Sequence, residues 1–199
     1  IQISVLGFVF GSFKSNGNFE TFFPYLSIGL IFFSFINDTI NQSLNVFKKN
    51  SDFILSVPLP ISLYLAQIVF YNLVIFVHNL LVVVFIGLPL FFDFHVNLFN
   101  LDILGLILFL LFMSIFMFFS CIFVSIISSR YHDFTNLIPS LMRILFFLSP
   151  ILWLEEAFKD SDFFILLLIN PFYHFLGLIR SLINFDVNYS YNPYYIIFC

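Results

Sequence analysis

The fold class that this sequence predicts is all-α, a polytopic bundle of membrane-crossing helices. Three observations predict it. Hydrophobic residues make up 61% of the chain and charged residues 9%, and the mean hydropathy is +1.07, so the chain cannot cover itself with polar surface in water. Several apolar runs approach or exceed the roughly 20 residues that cross a bilayer as helix. Short polar connections divide the runs, and residues 1–199 read as one transmembrane domain.

Taken in order, residues 1–13 read as the tail of a first helix. They lack the charged start and small-residue cleavage site of a secretory signal. Residues 21–36 form the next span, and Asn37, Asp38, Thr39, Asn41, Gln42, Ser43 and Asn45 follow it. Ile36, Ile40, Leu44 and Phe47 keep helical spacing through that polar stretch, so one helix is expected to leave the lipid and run on toward water or a partner. Lys48-Lys49-Asn50-Ser51-Asp52 is a short connection. Residues 61–90 are the longest apolar segment, which as helix measures roughly 45 Å and must tilt, kink or protrude. Asp93-Phe94-His95 closes it, and residues 97–102 connect to a span over 103–127. There Ser114, Ser120, Cys121 and Ser125 are small enough to let a neighbouring helix approach closely.

Residues 128–136 form the third connection. Residues 137–154 are apolar but carry Pro139, Arg143 and Pro150, and kinks are expected there. After a polar patch at 155–162 come two runs, 163–169 and 172–183, separated by Asn170-Pro171. Each is too short to span, so together they read as a re-entrant pair or as helices lying at the interface. Residues 194–199 begin a last helix. The chain starts at Ile1 without methionine and stops inside that apolar run, so both ends are expected to be incomplete and the count of crossings is six.

Charge narrows the function. A net charge of −4 without a basic stripe excludes nucleic acid as a partner. The alternating topology puts Lys48, Lys49 and Arg130 on one side and Lys14, Lys159 and Arg180 on the other, an even split that leaves orientation open. Cys121 lies inside an apolar run and Cys199 is the last residue, which gives neither a disulfide framework nor a metal cluster. The histidines His78, His95, His132 and His174 fall in four segments without an HExxH pattern, and no metal site is expected. No catalytic residues are expected either. There is no GxxxxGK[ST] loop, so the chain needs no cofactor of its own, and ATP with its Mg would sit on another subunit.

An ionisable side chain within a span is a functional candidate. Arg143 lies six residues into its span and either snorkels to the near interface, pairs with a neighbouring helix, or lines a water-filled path for an anionic substrate. His78-Asn79, midway along its long helix, fits interhelical hydrogen bonding. A proton relay there would need a carboxylate at comparable depth, and Asp38, in the polar helical extension, is the nearest. The 34 phenylalanines exceed what an aliphatic bundle needs. Lipid-facing rings account for most of them, and the excess calls for a reason beyond hydrophobicity, either nucleotide bias or function.

Three stretches carry a family pattern. The first runs from Phe23-Pro24-Tyr25-Leu26 through Ile28-Gly29-Leu30 to Pro58-Leu59-Pro60, then Asn72, Ile75, Phe76, His78 and Asn79. The second is Ser129-Arg130-Tyr131-His132-Asp133-Phe134, leading into Phe146-Phe147-Leu148-Ser149-Pro150-Ile151. The third is Asn170-Pro171-Phe172-Tyr173-His174-Phe175 with Arg180 downstream. In order and spacing they resemble the permease subunits of bacterial ABC exporters for O-antigen, capsular polysaccharide and teichoic acid. The wider ABC export permeases share the Arg-x-x-Asp and Asn-Pro elements.

The resemblance implies a six-helix subunit of the bacterial inner membrane that works as a homodimer, with a separate ABC ATPase beneath each copy. It implies that Lys48, Lys49, Asp52, Phe53, Pro58, Pro60, Arg130 and Asp133 belong to cytoplasmic loops that couple to the ATPase. It further implies that Asn170, Pro171, Phe172, Tyr173 and Arg180 belong to a gate hairpin on the far side. The implied substrate is a lipid-linked glycan, with membrane lipid around it, and Arg143, His78 and Asn79 are the candidate channel residues. Departures from the pattern include Glu155-Glu156 and Asp160 after Pro150. A permease for teichoic acid or a small amphiphile or drug is the runner-up. A membrane enzyme acting on polyprenyl-linked sugars is a third reading, but that class needs carboxylates or a basic cluster at a membrane-facing loop, where Asp93, Asp102 and Asp133 stand singly.

Overall fold

The computed structural model describes residues 19–56, 59–83, 103–153 and 164–182, and every regular element among them is helical. The segments 1–13, 91–102, 155–162 and 194–199, and with them Pro58, lie outside the described residues. The long helices are α1 (Phe19–Ser43), α4 (Ser62–Val82), α5 (Ile103–Arg130) and α6 (Phe134–Leu148). Between α1 and α4 stand two short helices, α2 (Val46–Lys49) and α3 (Ser51–Ser56). Two more, α7 (Phe164–Ile169) and α8 (Pro171–Leu182), follow α6.

α1 continues into the polar stretch as far as Ser43, with Ile36 and Ile40 buried, and the expected helical run is broken there: Leu44, also buried, stands in the following turn and Phe47 in the next short helix. The short helix that residues 52–55 are suited to form is present, and the connection before it at 48–50 is more ordered than its composition suggests. Main-chain bonds from Lys49 N to Asn45 O (2.9 Å) and from Ile54 N to Asn50 O (2.9 Å) wind it into α2 and α3, broken only near Asn50. Helix α6 runs on through Pro139, which stands in its second turn, and leaves helical geometry at Ser149, the residue before Pro150. A following proline disfavours helix at the residue before it.

α1 is the centre of the bundle and packs against α4, α5, α6 and α8. Its contacts fix the directions of the others. Gln42 and Asn72 exchange side-chain hydrogen bonds (3.3 and 3.2 Å), and Phe76 meets Phe32 and Phe35, so α4 is antiparallel to α1. Ser128 Oγ donates to Leu44 O (2.8 Å) and Cys121 Sγ to Thr39 O (3.8 Å), so α5 is parallel to it. Phe33 and Phe146 touch at 4.9 Å between centroids, and α6 leads to Tyr25 at α1's start, so α6 is antiparallel.

α4 and α5 are long and apolar enough to cross a membrane. The two sides of α5 show which solvent it meets. Its buried stripe ends in Cys121, Ser125 and Ser128, whereas Leu104, Leu108, Leu111, Ile115, Phe119 and Phe123 are 55–68% exposed. Large apolar residues cover the outside, while the inside carries Phe109, Met113 and Met117 and then only small residues, which is not the order of a water-soluble helix and is what a lipid surround requires. The expected small-residue contact is half right. Cys121 and Ser125 lie on the buried stripe, while Ser114 and Ser120 lie off it and donate to Leu110 O and Phe116 O of their own helix. In lipid the hydrophobic effect adds little, so interhelical hydrogen bonds of about 0.6 kcal/mol each and close packing hold such a bundle.

Candidate functional site

The bundle has two distinct ends. Eighteen residues of α1 separate Tyr25 from Ser43, about 27 Å of helix, close to the thickness of a hydrocarbon core. At the first end, here the tyrosine end, three segments distant in sequence meet. Tyr25 Oη donates to Pro150 O (2.6 Å) and reaches Trp153 O (3.0 Å). Arg180 lays its guanidinium on the Tyr25 ring, 3.4 Å from the centroid. Its Nη1 donates to Pro150 O (3.0 Å) and its Nη2 to Tyr25 O (3.2 Å). The Pro150 carbonyl thus uses both lone pairs.

Gly29 leaves room for this arrangement. A Cβ there would stand 3.0 Å from Arg180 Nη2 and 3.0 Å from Ile151 Cγ2. Helix α8 is fixed at its start as well. Pro171 is its first residue, where the missing N–H costs nothing, and Asn170 caps it by accepting from Phe172 N (3.0 Å). The same Asn170 donates through Nδ2 to Ser149 Oγ (3.0 Å), a buried bond across 21 residues. His174 Nε2 donates to Leu168 O (2.8 Å), because a carbonyl can only accept, and so ties α8 back to α7. Phe175 sits against Phe109, Phe112 and Phe116, successive turns of α5.

The other end, here the lysine end, is open. Lys48, Lys49, Asp52 and Pro60 are exposed, and Phe53 and Leu55 are 65% and 87% exposed. Phe47, Ser51, Ile54, Leu55 and Ile61 line an open apolar cavity of about 280 Å³. Beside α2, which packs on α5, the chain turns from α5 into α6. Phe134 N to Tyr131 O and Leu137 N to Asp133 O (3.1 and 3.0 Å) make that turn tight. The side chains of Arg130 and Asp133 point out from it, Arg130 lying 6.0 Å from the Tyr131 ring centre.

The sequence candidates therefore fall into three groups. Lys48, Lys49, Asp52, Phe53, Pro60, Arg130 and Asp133 gather at the lysine end, and Asn170, Pro171, Phe172, Tyr173 and Arg180 at the tyrosine end. Arg143, His78 and Asn79 lie apart, exposed on the outer faces of α6 and α4. The interhelical hydrogen bond expected at His78-Asn79 is made earlier on α4, by Asn72 with Gln42. Sequence reasoning gave no role to Tyr25, Gly29, Ser149 and Pro150. The signal available was their place inside the family-like stretches. Among the described residues, no three His, Cys, Asp or Glu come together to hold a metal ion.

A family model described as ABC-2 type transporter matches residues 1–184. No curated protein matches the chain.

Proposed function

Since the chain belongs to the ABC-2 type transporter family, and so is a membrane subunit of an ABC transporter, we propose that it is the permease of an ATP-driven exporter of lipid-linked polysaccharide. The glycan is of the O-antigen or capsule kind, and the membrane is the bacterial inner membrane. Two copies form the path, and a separate ABC ATPase binds each copy at the lysine end. Lys48, Lys49, Asp52, Phe53, Pro58, Pro60, Arg130 and Asp133 receive its stroke. Residues 163–183 act as the gate, through Asn170, Pro171, Phe172, Tyr173 and Arg180. Arg143, His78 and Asn79, exposed in the single chain, face the path.

The observation that carries this reading is how the family-like stretches divide between the ends. Tyr25, Ser149-Pro150 and Asn170 to Arg180 join in one hydrogen-bonded cluster, while Lys48 to Asp52 and Arg130 to Asp133 lie at the opposite end of α1. Exposed charge and an apolar cavity suit a protein partner. A closed cluster of two short helices suits an element that must tilt without disturbing a packed span.

Deleting the gene tests the substrate. The expected result is loss of surface glycan with lipid-linked glycan accumulating inside, restored by the full-length gene together with its ATPase. Unchanged surface glycan would sink the reading, and selective loss of teichoic acid or of a small amphiphile would move it to the runner-up. The purified subunit alone should hydrolyse no ATP, because it has no phosphate-cradling loop.

A further inference from the structure

Helix α8 is held at both ends, but not by the same kind of contact. At its start, Asn170 is buried, caps the helix and bonds to Ser149, and Pro171 fixes the backbone angle. Nine residues on, about 14 Å along the helix, the polar hold is the side chain of Arg180, beside the apolar packing of Phe175 on α5 and of the buried Leu176 and Ile179. The arginine crosses to α1 and to the turn after α6, and reaches them through a ring face and two carbonyls. A tilt of α8 about Asn170 need not break the capping bonds, but it must lift Arg180 from Tyr25.

We propose that Arg180 is a latch, seated on Tyr25 and Gly29, whose release lets α8 swing about Asn170. Two features make the seat reusable. Tyr25 Oη still holds Pro150 O when Arg180 leaves, so the turn that receives the arginine keeps its shape. The Pro150 and Tyr25 carbonyls are neutral acceptors and the Tyr25 ring is an uncharged face, so at these three contacts departure strands no buried charge. Tyr25 and Gly29 also belong to α1, the helix whose other end leads into α2 and α3. An axial pull at Lys48 and Lys49 would carry the seat away from the arginine. As regulation of α8 this last step rests on the gate reading above, whereas the latch itself does not.

The test uses the full-length permease with its ATPase in nanodiscs, Cys121 and Cys199 replaced by alanine, and a reporter Leu176→Cys on the buried face of α8. Labelling by a polar maleimide should be slow in the parent. It should quicken about tenfold or more with Arg180→Met or Tyr25→Leu, with no further gain when both are combined, since a local opening is what each change eases. Tyr25→Phe keeps the ring under the guanidinium and should leave the rate within about twofold of the parent. Asn136→Cys, exposed at the start of α6, should label at one rate in every background. If Arg180→Met does not assemble, Gly29→Ala carries the same test, because it keeps every donor of Arg180 and crowds its seat. Equal protection of Leu176→Cys with and without Arg180, or additive rates in the double variant, would overturn the latch. Faster labelling without any change in substrate leak would leave the latch standing and remove the gate reading.

Discussion

At one end of α1, Tyr25 receives Arg180 from 155 residues away. At the other, Phe53 and Leu55 project with 65% and 87% of their surface free. The difference lies in where polar and apolar groups find partners. The tyrosine end pairs Tyr25 Oη, both Nη groups of Arg180, the Asn170 amide and the Pro150 carbonyl internally, as a site near lipid demands because water is scarce there. The lysine end leaves charges and apolar rings on the same short helices, a combination that wastes surface unless another protein covers it. Among the described residues, one end is closed by its own contacts, and the other is open.

The largest effect that follows is at the lysine end. Phe53→Asp together with Leu55→Asp should weaken ATPase binding by about 2–4 kcal/mol, as loss of exposed apolar anchors does at an interface. Substrate transport should then fall to background, while the thermal stability of the subunit alone stays within about 0.5 kcal/mol of the parent. Co-purification with the ATPase and a melting curve of the isolated subunit read the two quantities. Retained binding would break the comparison from that side.

Smaller effects belong to the tyrosine end, because there the damage is spread over several contacts. Asn170→Ala removes the bond to Ser149 and the cap of α8 and should destabilise the region by about 1–3 kcal/mol. Pro171→Ala should cost less than about 1 kcal/mol, because a proline at the first helical position gives up no hydrogen bond and acts mainly by stiffening the unfolded chain. Its signature is instead a rise in substrate leak, as α7 and α8 straighten toward one longer helix, with dimer and ATPase binding intact. Wild-type export with no change in leak would count against a gate at Asn170-Pro171. The smallest effect on transport is expected where the last turn of α1 meets the middle of α4. Gln42→Leu or Asn72→Leu should each cost about 1 kcal/mol, and the double variant less than their sum, since the two amides satisfy each other. Thermal melts of the four forms give that coupling.

What could be read from sequence follows the range of the forces involved. The polar extension of α1 was legible because Ile36 and Ile40 keep a period of local origin, and both are buried. The break at Asn170 was legible because proline acts on its own neighbour. The helices over Lys48 to Ser56 were only partly so, since charge and Asn50 suggest a loop while main-chain bonding winds a turn on either side. The pairing of Tyr25 with Arg180 was not legible, because no periodicity links residues that far apart. The place of the interhelical amide bond was equally hidden. Asn72 and His78-Asn79 are polar in the same apolar run, and only the rotation of α4 against α1 decides that Asn72 faces inward. Ser128 was missed because the apolar run ends at Ile127, which puts that serine in the connection, whereas α5 runs on to Arg130 and carries it to Leu44 O.

The central claim is that the two ends of α1 face opposite sides of a membrane, with the ATPase at the lysine end. Single cysteines at Asn50, Thr135 and Ile169 in a Cys-free full-length subunit, labelled in intact cells and in inverted vesicles, test it most directly. Asn50→Cys and Thr135→Cys should react only from the cytoplasmic side, and Ile169→Cys, at a site 73% exposed on α7, only from the opposite side. Reaction of Asn50→Cys or Thr135→Cys from outside, or of all three from the same side, would contradict the account.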